Sequence, residues 1–396
     1  MLINDVRALA YTTKIDWVRP IEGADSIELV GIGGWTCIAK IGEFKEGDTC
    51  VYFEIDSKLP EDKEWSTFLA PKKFKVKTMK LSKFGVVSQG LALPLSAFDI
   101  NISSDLMQDL TQVLGVTYAD AEDNARKAPA ADKYKKMAQR RPNIFKKRWA
   151  RWMMKREWGR RIMFALFGKK KDRRTGWPAW VTKTDEERVQ NMPFLFTRPD
   201  RGTWIMTEKI DGSSTTFTMR GKGRKREFLV CSRNVVFDKP DKKCFYDTNI
   251  YTEMAEKYNI ESVMERWMQD MAGSGQELEF LTIQGETYGE GVQRRAYGLK
   301  GHDIAVFNVI YGFKTGEIRR LNPYLMAGEC EVRGLPHVPI LGEIELPATC
   351  EEVLALADTD KSKIDGGMRE GIVFRSEDGA QSFKAVSNEF LLKYHN

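Results

Sequence analysis

Residues Glu208–Ser214 read EKIDGSS, and the central Lys-Ile-Asp-Gly occurs a second time at Lys363–Gly366, within KIDGGMREGIVF. A lysine placed two residues before an aspartate and three before a glycine arises by chance in roughly one chain in ten of this length and average composition. A single copy is therefore a weak signal of chemistry, and two copies require at least one structural explanation. The sequence around each copy has to decide between them.

The two copies have different surroundings. The first ends a strand-like apolar run, TWIMTEKI, and precedes another strand-like run, so Lys209 is expected to project from a strand end into a pocket. The second lies in a glycine-rich segment, DGG, and its lysine comes seven residues before Glu370. We interpret Asp365–Gly367 as an ordinary turn and Lys363 as an exposed lysine.

A lysine attacks only as a neutral amine, although its ordinary pKa is about 10.4. Burial or neighbouring cationic charge, including a metal ion, can produce the neutral form. Attack on a nucleotide phosphate also needs cations near that phosphate and carboxylates to hold a divalent metal. Strand-like ends carry the acids Asp211, Glu286 and Glu370, while CSRN and SFKAVSN carry Arg233 and Lys384. Taken singly, each of these is better explained as a surface charge or a salt-bridge partner.

The first 115 residues have the pattern of a small β-barrel. Runs such as SIELVGIGGWTCIAKIG and DTCVYFEI alternate apolar and polar residues and are interrupted by glycines, which is typical of short strands joined by turns. The segment Lys72–Lys83 is predicted to be a strand with Lys73, Lys75 and Lys77 on one face. It fits either a solvated edge strand or a nucleic-acid contact.

Residues 116–175 differ from the rest in composition. Between Lys133 and Arg174 there are 18 Lys/Arg and two Asp/Glu, which leaves the remainder of the chain net acidic. A polyanionic partner would therefore meet one basic segment rather than a uniformly basic protein. Aromatic residues recur there at helical spacing, so the segment is predicted to be a polar linker followed by a helical arm. The arm could pack on a domain, contact nucleic acid or lie on a membrane surface. We favour the first two, which are compatible.

Residues 176–396 are predicted to form an α+β domain of apolar strands with a few helices between them. Thr184 and Glu187 have capping-box spacing, which predicts a short helix beginning there. Ile260, Val263, Met264, Trp267 and Met271 share one helical stripe and are expected to face the core.

Composition narrows the class of protein. The chain has 396 residues, 42% of them hydrophobic and 30% charged, with a net charge of +6, which fits two or three soluble domains. Its six cysteines are scattered and its three histidines are not paired at ligand spacing, so a reducing compartment is expected and a zinc site is not. No signal peptide or membrane span is predicted, and an intracellular location is expected.

An ordered set of motifs resembles one enzyme superfamily. EKIDGSS, CSRN, LTIQGE, VFNV, REGIV and SFKAVSN resemble motifs I, Ia, III, IIIa, IV and V of the covalent nucleotidyltransferases, which include polynucleotide ligases and RNA capping enzymes. The chain is most similar to the RNA ligase 5 family, through these motifs and through WPAWVTKTDEERVQN, QGETYGEGVQ and FKAVSNEFLLK. The likeness covers nearly the whole chain. Because motif I must precede the others, the order assigns it to Lys209 and not to Lys363.

The resemblance implies an architecture and an activity. The fold would be an N-terminal OB-like barrel (1–115), a basic linker or helical arm (116–175), and an ATP-grasp-like nucleotidyltransferase domain of antiparallel sheets with helices (176–396). The activity would be ATP-dependent RNA ligation in RNA repair, with Mg²⁺ or Mn²⁺ and with RNA ends bearing a 3′-hydroxyl and a 5′-phosphate. A monomer is expected.

The resemblance also assigns residues. Lys209 would carry AMP, and Asp211, Glu286 and Glu370 would hold the waters of a metal or contact ribose. The ATP site would include Glu208, Ile210, Arg233 and Lys384, with Phe307 or Ile304 near the adenine and Arg188 near the triphosphate. Some relatives carry Lys-x-Lys in motif V where this chain has Lys384-Ala385-Val386, so a second motif V lysine is in doubt.

Two other functions remain open from the sequence. One is a ligase of DNA, or of RNA joined on a DNA template. The other is a non-catalytic RNA-binding protein with a degenerate ligase domain, since the N-terminal segment is also similar to tRNA-binding OB modules.

Overall fold

The structure is a computed structural model, and it describes residues 1–3, 6–118, 153, 177–183, 186–237 and 248–394. Contacts between residues group Met1–Val116 with Gly176–Asn396 in one compact unit and Thr117–Thr175 in another. The predicted basic arm at Lys133–Arg174 lies outside the described residues, apart from Met153.

The N-terminal part consists of short strands. Two antiparallel three-stranded sheets form its body. One has Thr49–Phe53 between Leu91–Pro94 and Ala10–Lys14, and the other has Ile27–Ile32 between Trp17–Pro20 and Trp35–Lys40. In the strand Trp35–Lys40 the side chains alternate between core and surface, which places Trp35, Cys37 and Ala39 in the core. The strands are β1 (Leu2–Ile3), β2 (Val6–Arg7), β3 (Ala10–Lys14), β4 (Trp17–Pro20), β5 (Ile27–Ile32), β6 (Trp35–Lys40), β7 (Thr49–Phe53), β8 (Ser57–Lys58), β9 (Met79–Leu81), β10 (Val86–Ser88), β11 (Leu91–Pro94) and β12 (Thr117–Tyr118).

The strand predicted over Lys72–Lys83 is wrong for most of its length. A 3₁₀ helix, Glu64–Lys72, ends in this segment, and only Met79–Leu81 is a strand. Lys73 and Phe74 have φ angles of 54° and 59°, in the left-handed region. Two consecutive left-handed residues interrupt the two-residue repeat, so Lys73, Lys75 and Lys77 do not share a strand face.

The C-terminal part contains two sheets with helices between their strands. Its strands are β13 (Glu187–Arg188), β14 (Thr203–Lys209), β15 (Ser213–Arg220), β16 (Glu227–Ser232), β17 (Val236–Phe237), β18 (Leu278–Gly289), β19 (His302–Phe313), β20 (Ile318–Arg320), β21 (Ile340–Glu345), β22 (Gly371–Ser376) and β23 (Ser382–Val386). Its described helices are α1 (Phe194–Thr197), α2 (Ile250–Lys257), α3 (Ile260–Gly273), α4 (Pro323–Val332), α5 (Cys350–Thr359) and α6 (Asn388–Tyr394). The α+β prediction is confirmed.

The first Lys-Ile-Asp-Gly connects the two sheets. One sheet has the order β13-β23-β22-β14-β21 and the other the order β17-β16-β15-β18-β19-β20. Lys209 is the last residue of β14 in the first sheet, and Ser213 begins β15 in the second. A Cβ on Gly212 would lie 2.4 Å from the carbonyl oxygen of Thr287, so the crossover requires glycine there.

Of two helix predictions for the C-terminal part, one is wrong and one is confirmed. Glu187 lies in strand β13, so the helix predicted from the Thr184–Glu187 spacing is wrong there, and Thr184 itself is outside the described residues. The predicted apolar stripe of α3 is confirmed, because Ile260, Val263, Met264 and Trp267 are buried in the core and Met271 packs against it.

Further predictions concern thiols and membranes. Cys37, Cys50, Cys231 and Cys330 are free and buried, as expected for a reducing compartment. Within the described ranges, no helix has the length and apolar character needed to cross a membrane.

Candidate active site

A cavity of about 370 Å³ lies where the two C-terminal sheets meet. Nine of the ten side chains that the sequence assigned to the site line it: Glu208, Lys209, Ile210, Asp211, Arg233, Glu286, Phe307, Glu370 and Lys384. They come from β14, the crossover, β18, β19 and β23, and from the residues that follow β16 and precede β22. Arg188 is the exception.

Lys209 is held by a direct ion pair. Its Nζ lies 2.6 Å from Oε1 of Glu370, which directly precedes β22 and is brought opposite by the Lys209–Gly371 pairing of β14 with β22. Burial alone would lower the pKa of Lys209. The negative charges of Glu370, Glu286 and Asp211 outweigh burial and raise it. In the absence of further cations, the lysine is therefore held as an ammonium ion.

Asp211 and Glu286 have raised pKa values. Burial raises the pKa of Asp211 to about 6, and the charge of Glu370 adds to this. Burial raises the pKa of Glu286 to about 8 against the opposing charge of Lys209, with Glu370 and Asp211 contributing. In the described part of the chain, Oε2 of Glu370 is buried and has no hydrogen-bond partner. Concentrated negative charge with an unsatisfied carboxylate oxygen favours the binding of a cation.

The acids of the cavity suit a hydrated cation rather than a directly ligated one. Among the described residues, no group of three His, Cys, Asp or Glu side chains is close enough to ligate a metal ion directly. A small divalent cation such as Mg²⁺ keeps several of its waters when it binds, so acids around one cavity can hold it through water. Asp211, Glu286 and Glu370 therefore fit a divalent cation that binds through its waters.

A loop that the motif analysis did not assign positions Asp211. The backbone N–H of Asp211 donates to the Tyr297 hydroxyl at 2.7 Å, and Nε2 of Gln293 donates to the carbonyl of Gly212 at 3.1 Å. Arg295 lies 4.2 Å from the centre of the Tyr297 ring and pairs with Asp365. In the sequence, this loop is the polar run GVQRRAYG after β18. Its contacts with Asp211 and Gly212 depend on how the loop folds back, which the run itself does not predict.

The second Lys-Ile-Asp-Gly is a structural turn that supports the first. Glu208 is 1% exposed, and its carboxylate accepts hydrogen bonds from the Ser362 hydroxyl and, at 2.7 Å, from the backbone N–H of Lys363. The side chain of Lys363 is exposed, as predicted. Glu208 therefore borders the cavity with its carboxylate bound to this turn.

One end of the cavity is apolar. Phe307, Val338 and Val373 line it there, whereas Ile304 is 1% exposed within the core and does not. Arg375 donates to the carbonyl of Phe307 at 2.9 Å and to Oε1 of Glu186 at 3.2 Å. Val338, Val373, Arg375 and Glu186 were not predicted, because nothing in their local sequence distinguishes them from core or surface residues.

Arg188 lies in a neighbouring cavity of about 280 Å³. This second cavity shares Lys209, Glu370 and Lys384 with the first and also includes Asp56 and Lys80. Burial lowers the pKa of Arg188, opposed chiefly by Glu370. Its guanidinium carbon lies 5.6 Å from the centre of the Trp35 ring, and its Nη1 has no partner within the described ranges. An anion entering beside Lys209 would meet this donor.

Comparison with known proteins places both parts of the chain. An OB-fold domain model matches residues 9–95, and the RNA ligase model matches residues 202–395. A mutant of Naegleria gruberi RNA ligase solved with ATP and Mn is 28% identical, with a TM-score of 0.67 over 97% of this chain and 98% of that one. A mutant of the same ligase with AMP and Mn (28% identity, TM-score 0.67) and the ligase with PPi (28%, 0.66) each match over 98% of this chain and 99% of that one. The search of curated proteins found no match.

Proposed function

The chain belongs to the RNA ligase family through residues 202–395, and we propose that it is an ATP-dependent RNA ligase joining 3′-hydroxyl to 5′-phosphate ends. The observation that carries the proposal is one cavity that brings Lys209 together with five acids and three further basic side chains, among them the assigned Asp211, Glu286, Glu370, Arg233 and Lys384. The similar Naegleria ligase has been solved with ATP, AMP, PPi and Mn, so ATP and Mg²⁺ or Mn²⁺ are the proposed cofactors.

The first step would form a lysyl-AMP. Nζ of Lys209 attacks the α-phosphorus of ATP, a nitrogen–phosphorus bond forms, and the bond from that phosphorus to the bridging oxygen breaks to release pyrophosphate. The amine must first lose the proton that Glu370 helps to hold. A divalent cation at the three acids would supply positive charge that lowers the pKa of the lysine and offsets charge on the phosphate.

The chain's own groups would orient the nucleotide. The apolar end formed by Phe307, Val338 and Val373 suits the adenine, and the Glu208 backbone fixes the adjoining strand through its N–H bond of 2.9 Å to Pro339. Arg233 and Lys384 suit phosphate contacts, and Arg188 suits the departing pyrophosphate.

Two further transfers would complete sealing. An oxygen of the RNA 5′-phosphate attacks the phosphorus of lysyl-AMP, which frees the Lys209 amine and leaves AMP on the RNA end. The RNA 3′-hydroxyl then attacks the 5′-phosphate phosphorus, and AMP leaves. Neither the DNA ligase nor the non-catalytic alternative is favoured by any particular contact in the cavity.

We further propose that the chain is divided into residues 1–115, 116–175 and 176–396, and that it is an intracellular monomer. The basic arm is proposed to contact RNA phosphates.

Incubation with α-labelled ATP and Mg²⁺ or Mn²⁺ without RNA, followed by peptide mapping, tests the proposal. We expect label on Lys209, lost in Lys209→Ala and retained in the matched Lys363→Ala. Absence of label with either metal on folded wild-type protein would overturn the ligase proposal. Labelled protein should then seal a nicked RNA duplex, and parallel DNA strands test the substrate.

A further inference from the structure

A third cavity, of about 490 Å³, adjoins the active-site cavity. We call it the basic cavity and define it by Lys183, Phe194, Arg198, Asn308 and Arg320, all of which line it. It shares Glu186 with the active-site cavity, and Asn308 directly follows Phe307 in β19. The two cavities therefore adjoin at Glu186, which is paired with Arg375, and at neighbouring residues of β19.

The charge of the basic cavity favours an anion. Lys183, Arg198 and Arg320 contact neutral groups: the side-chain oxygens of Asn234, Gln381 and Ser382, at 3.1, 3.1 and 3.3 Å. None of the three forms an ion pair with an acid of the described ranges. Two acids also line the cavity: Glu186 is paired with Arg375, and Glu187 accepts a hydrogen bond from the Asn191 amide. The pKa of Arg375 is lowered by burial and also by the positive charge of Arg320. The three cations therefore outnumber the two acids of the lining, one of which is already paired with a further arginine.

Asn308, which lines the basic cavity, has a buried acceptor without a partner among the described residues. Nε2 of Gln284 donates to the carbonyl of Thr182 at 2.8 Å, and a carbonyl can only accept, so Oε1 of Gln284 must face Asn308. Nδ2 of Asn308 donates to that oxygen at 2.7 Å, which fixes the orientation of the Asn308 amide. Asn308 is 2% exposed, and its Oδ1 has no partner among the described residues. A buried acceptor without a donor favours a ligand that brings an N–H or O–H group.

The basic cavity also contains an aromatic ring, that of Phe194. Phe194 in α1 is 40% exposed, and the Arg198 guanidinium lies 4.8 Å from the centre of its ring. A nucleobase can stack on such a ring beside a guanidinium, while cations hold its phosphate. A volume of 490 Å³ is in the range of small-molecule sites and can hold a nucleotide.

We propose that the basic cavity binds one nucleotide of the RNA being joined. Arg198, Arg320 and Lys183 contact its phosphate, its base stacks on Phe194, and a ribose hydroxyl or base amine donates to Oδ1 of Asn308. The proposal rests on the proposed ligase function, because it takes the nucleotide from the RNA substrate. It adds a contact that would position the RNA strand beside the active-site cavity.

The first experiment changes charge without touching the active-site cavity. Full-length Arg198→Gln/Arg320→Gln is compared with the matched pair Arg201→Gln/Arg319→Gln, whose arginines are ion-paired to Glu345 and Glu317 outside the cavity. Affinity is measured by titration of a nicked RNA duplex with a 3′-deoxy end, without ATP, at several salt concentrations. We expect the cavity pair to raise the Kd about tenfold or more and to reduce the salt slope by about one to two, and the control pair to change neither.

The results separate this proposal from the ligase proposal. Labelling of Lys209 by ATP needs no RNA, so it reports on the active site independently. Loss of RNA affinity in the cavity pair with labelling retained supports the nucleotide site. A Kd and salt slope equal to those of the control pair overturn it, whatever the labelling shows. Failure of the wild-type protein to label would instead overturn the ligase function.

Two single variants test the neutral contacts. Phe194→Ala should raise the Kd for RNA by roughly tenfold, since stacking on one aromatic ring contributes about that much. Asn308→Leu should weaken RNA but not DNA if the donor is a ribose 2′-hydroxyl, and should weaken both if it is a base amine. An unchanged Kd for both nucleic acids in a variant that still labels would remove Asn308 from the site.

Discussion

Nζ of Lys209 and Oε1 of Glu370 lie 2.6 Å apart, joining the end of one strand to the residue before its neighbour. Both residues line the two neighbouring cavities. The ion pair favours the ammonium form of Lys209, whereas the proposed attack on ATP requires the neutral amine. In the proposed reaction, cations that arrive with the nucleotide would therefore have to activate Lys209.

Replacing Glu370 tests this relationship. Glu370→Gln keeps the size of the side chain but removes one of the three acids around the proposed cation, so lysyl-AMP formation should fall roughly a hundredfold or more. Initial labelling rates with α-labelled ATP at fixed Mn²⁺ measure the loss. Glu377→Gln, at an exposed position beyond β22, serves as the control. A Glu370→Gln rate within a factor of about two of wild type would contradict the role given to this acid.

The raised pKa of Glu286 predicts a pH-dependent stability. Its folded pKa of about 8 exceeds its ordinary value of 4.5, so between these two pH values the folded protein binds more protons than the unfolded chain. The free energy of unfolding therefore falls as the pH rises from about 4.5 to about 8, because the unfolded chain releases the Glu286 proton over that range while burial keeps it bound in the folded protein. In metal-free buffer, the Tm of Glu286→Gln relative to wild type should be higher at pH 8 than at pH 5. A Tm difference that is the same at both pH values would show that Glu286 is not the group responsible.

Arg188 should act on the first step more than on the last. Its unpartnered Nη1 lies in the cavity beside Lys209, where a leaving pyrophosphate would carry charge. Arg188→Gln is expected to slow lysyl-AMP formation roughly tenfold or more, and to slow sealing of pre-adenylylated RNA much less. Arg201→Gln controls for the loss of one positive charge. Equal slowing of both steps would point to a general structural role for Arg188.

Two glycine substitutions should have opposite effects. Gly212→Ala places a Cβ 2.4 Å from a backbone oxygen at the crossover, so it should lower the Tm and reduce labelling. Gly328→Ala, in helix α4 with no heavy atom within 4 Å of the added Cβ, should stabilise the protein by about 0.5–1 kcal/mol. Thermal unfolding followed by circular dichroism measures both. A Gly212→Ala protein with normal Tm and labelling would mean that the crossover tolerates a side chain.

Features of the fold and the site that depend on short-range pattern or on motif order could be predicted from the sequence. The apolar stripe of α3, the α+β class and the turn at the second Lys-Ile-Asp-Gly follow from short-range pattern, and nine assigned side chains do line one cavity. The strand prediction over Lys72–Lys83 is wrong because Lys73 and Phe74 have left-handed φ angles, and neither residue type predicts that conformation. Tyr297 and Asn308 act through partners 86 and 24 residues away, and such contacts appear only in the folded chain.

The crossover at Ile210–Gly212 places the candidate active site along the seam between two sheets. Lys209 ends a strand of the five-stranded sheet and Glu370 directly precedes another, whereas Glu286 and Phe307 belong to the six-stranded sheet. Neither sheet by itself carries all the assigned residues, so a fragment containing one sheet would lack part of the site. A rotation of one sheet against the other would keep the Lys209–Glu370 pair intact and change its distance from Glu286 and Phe307.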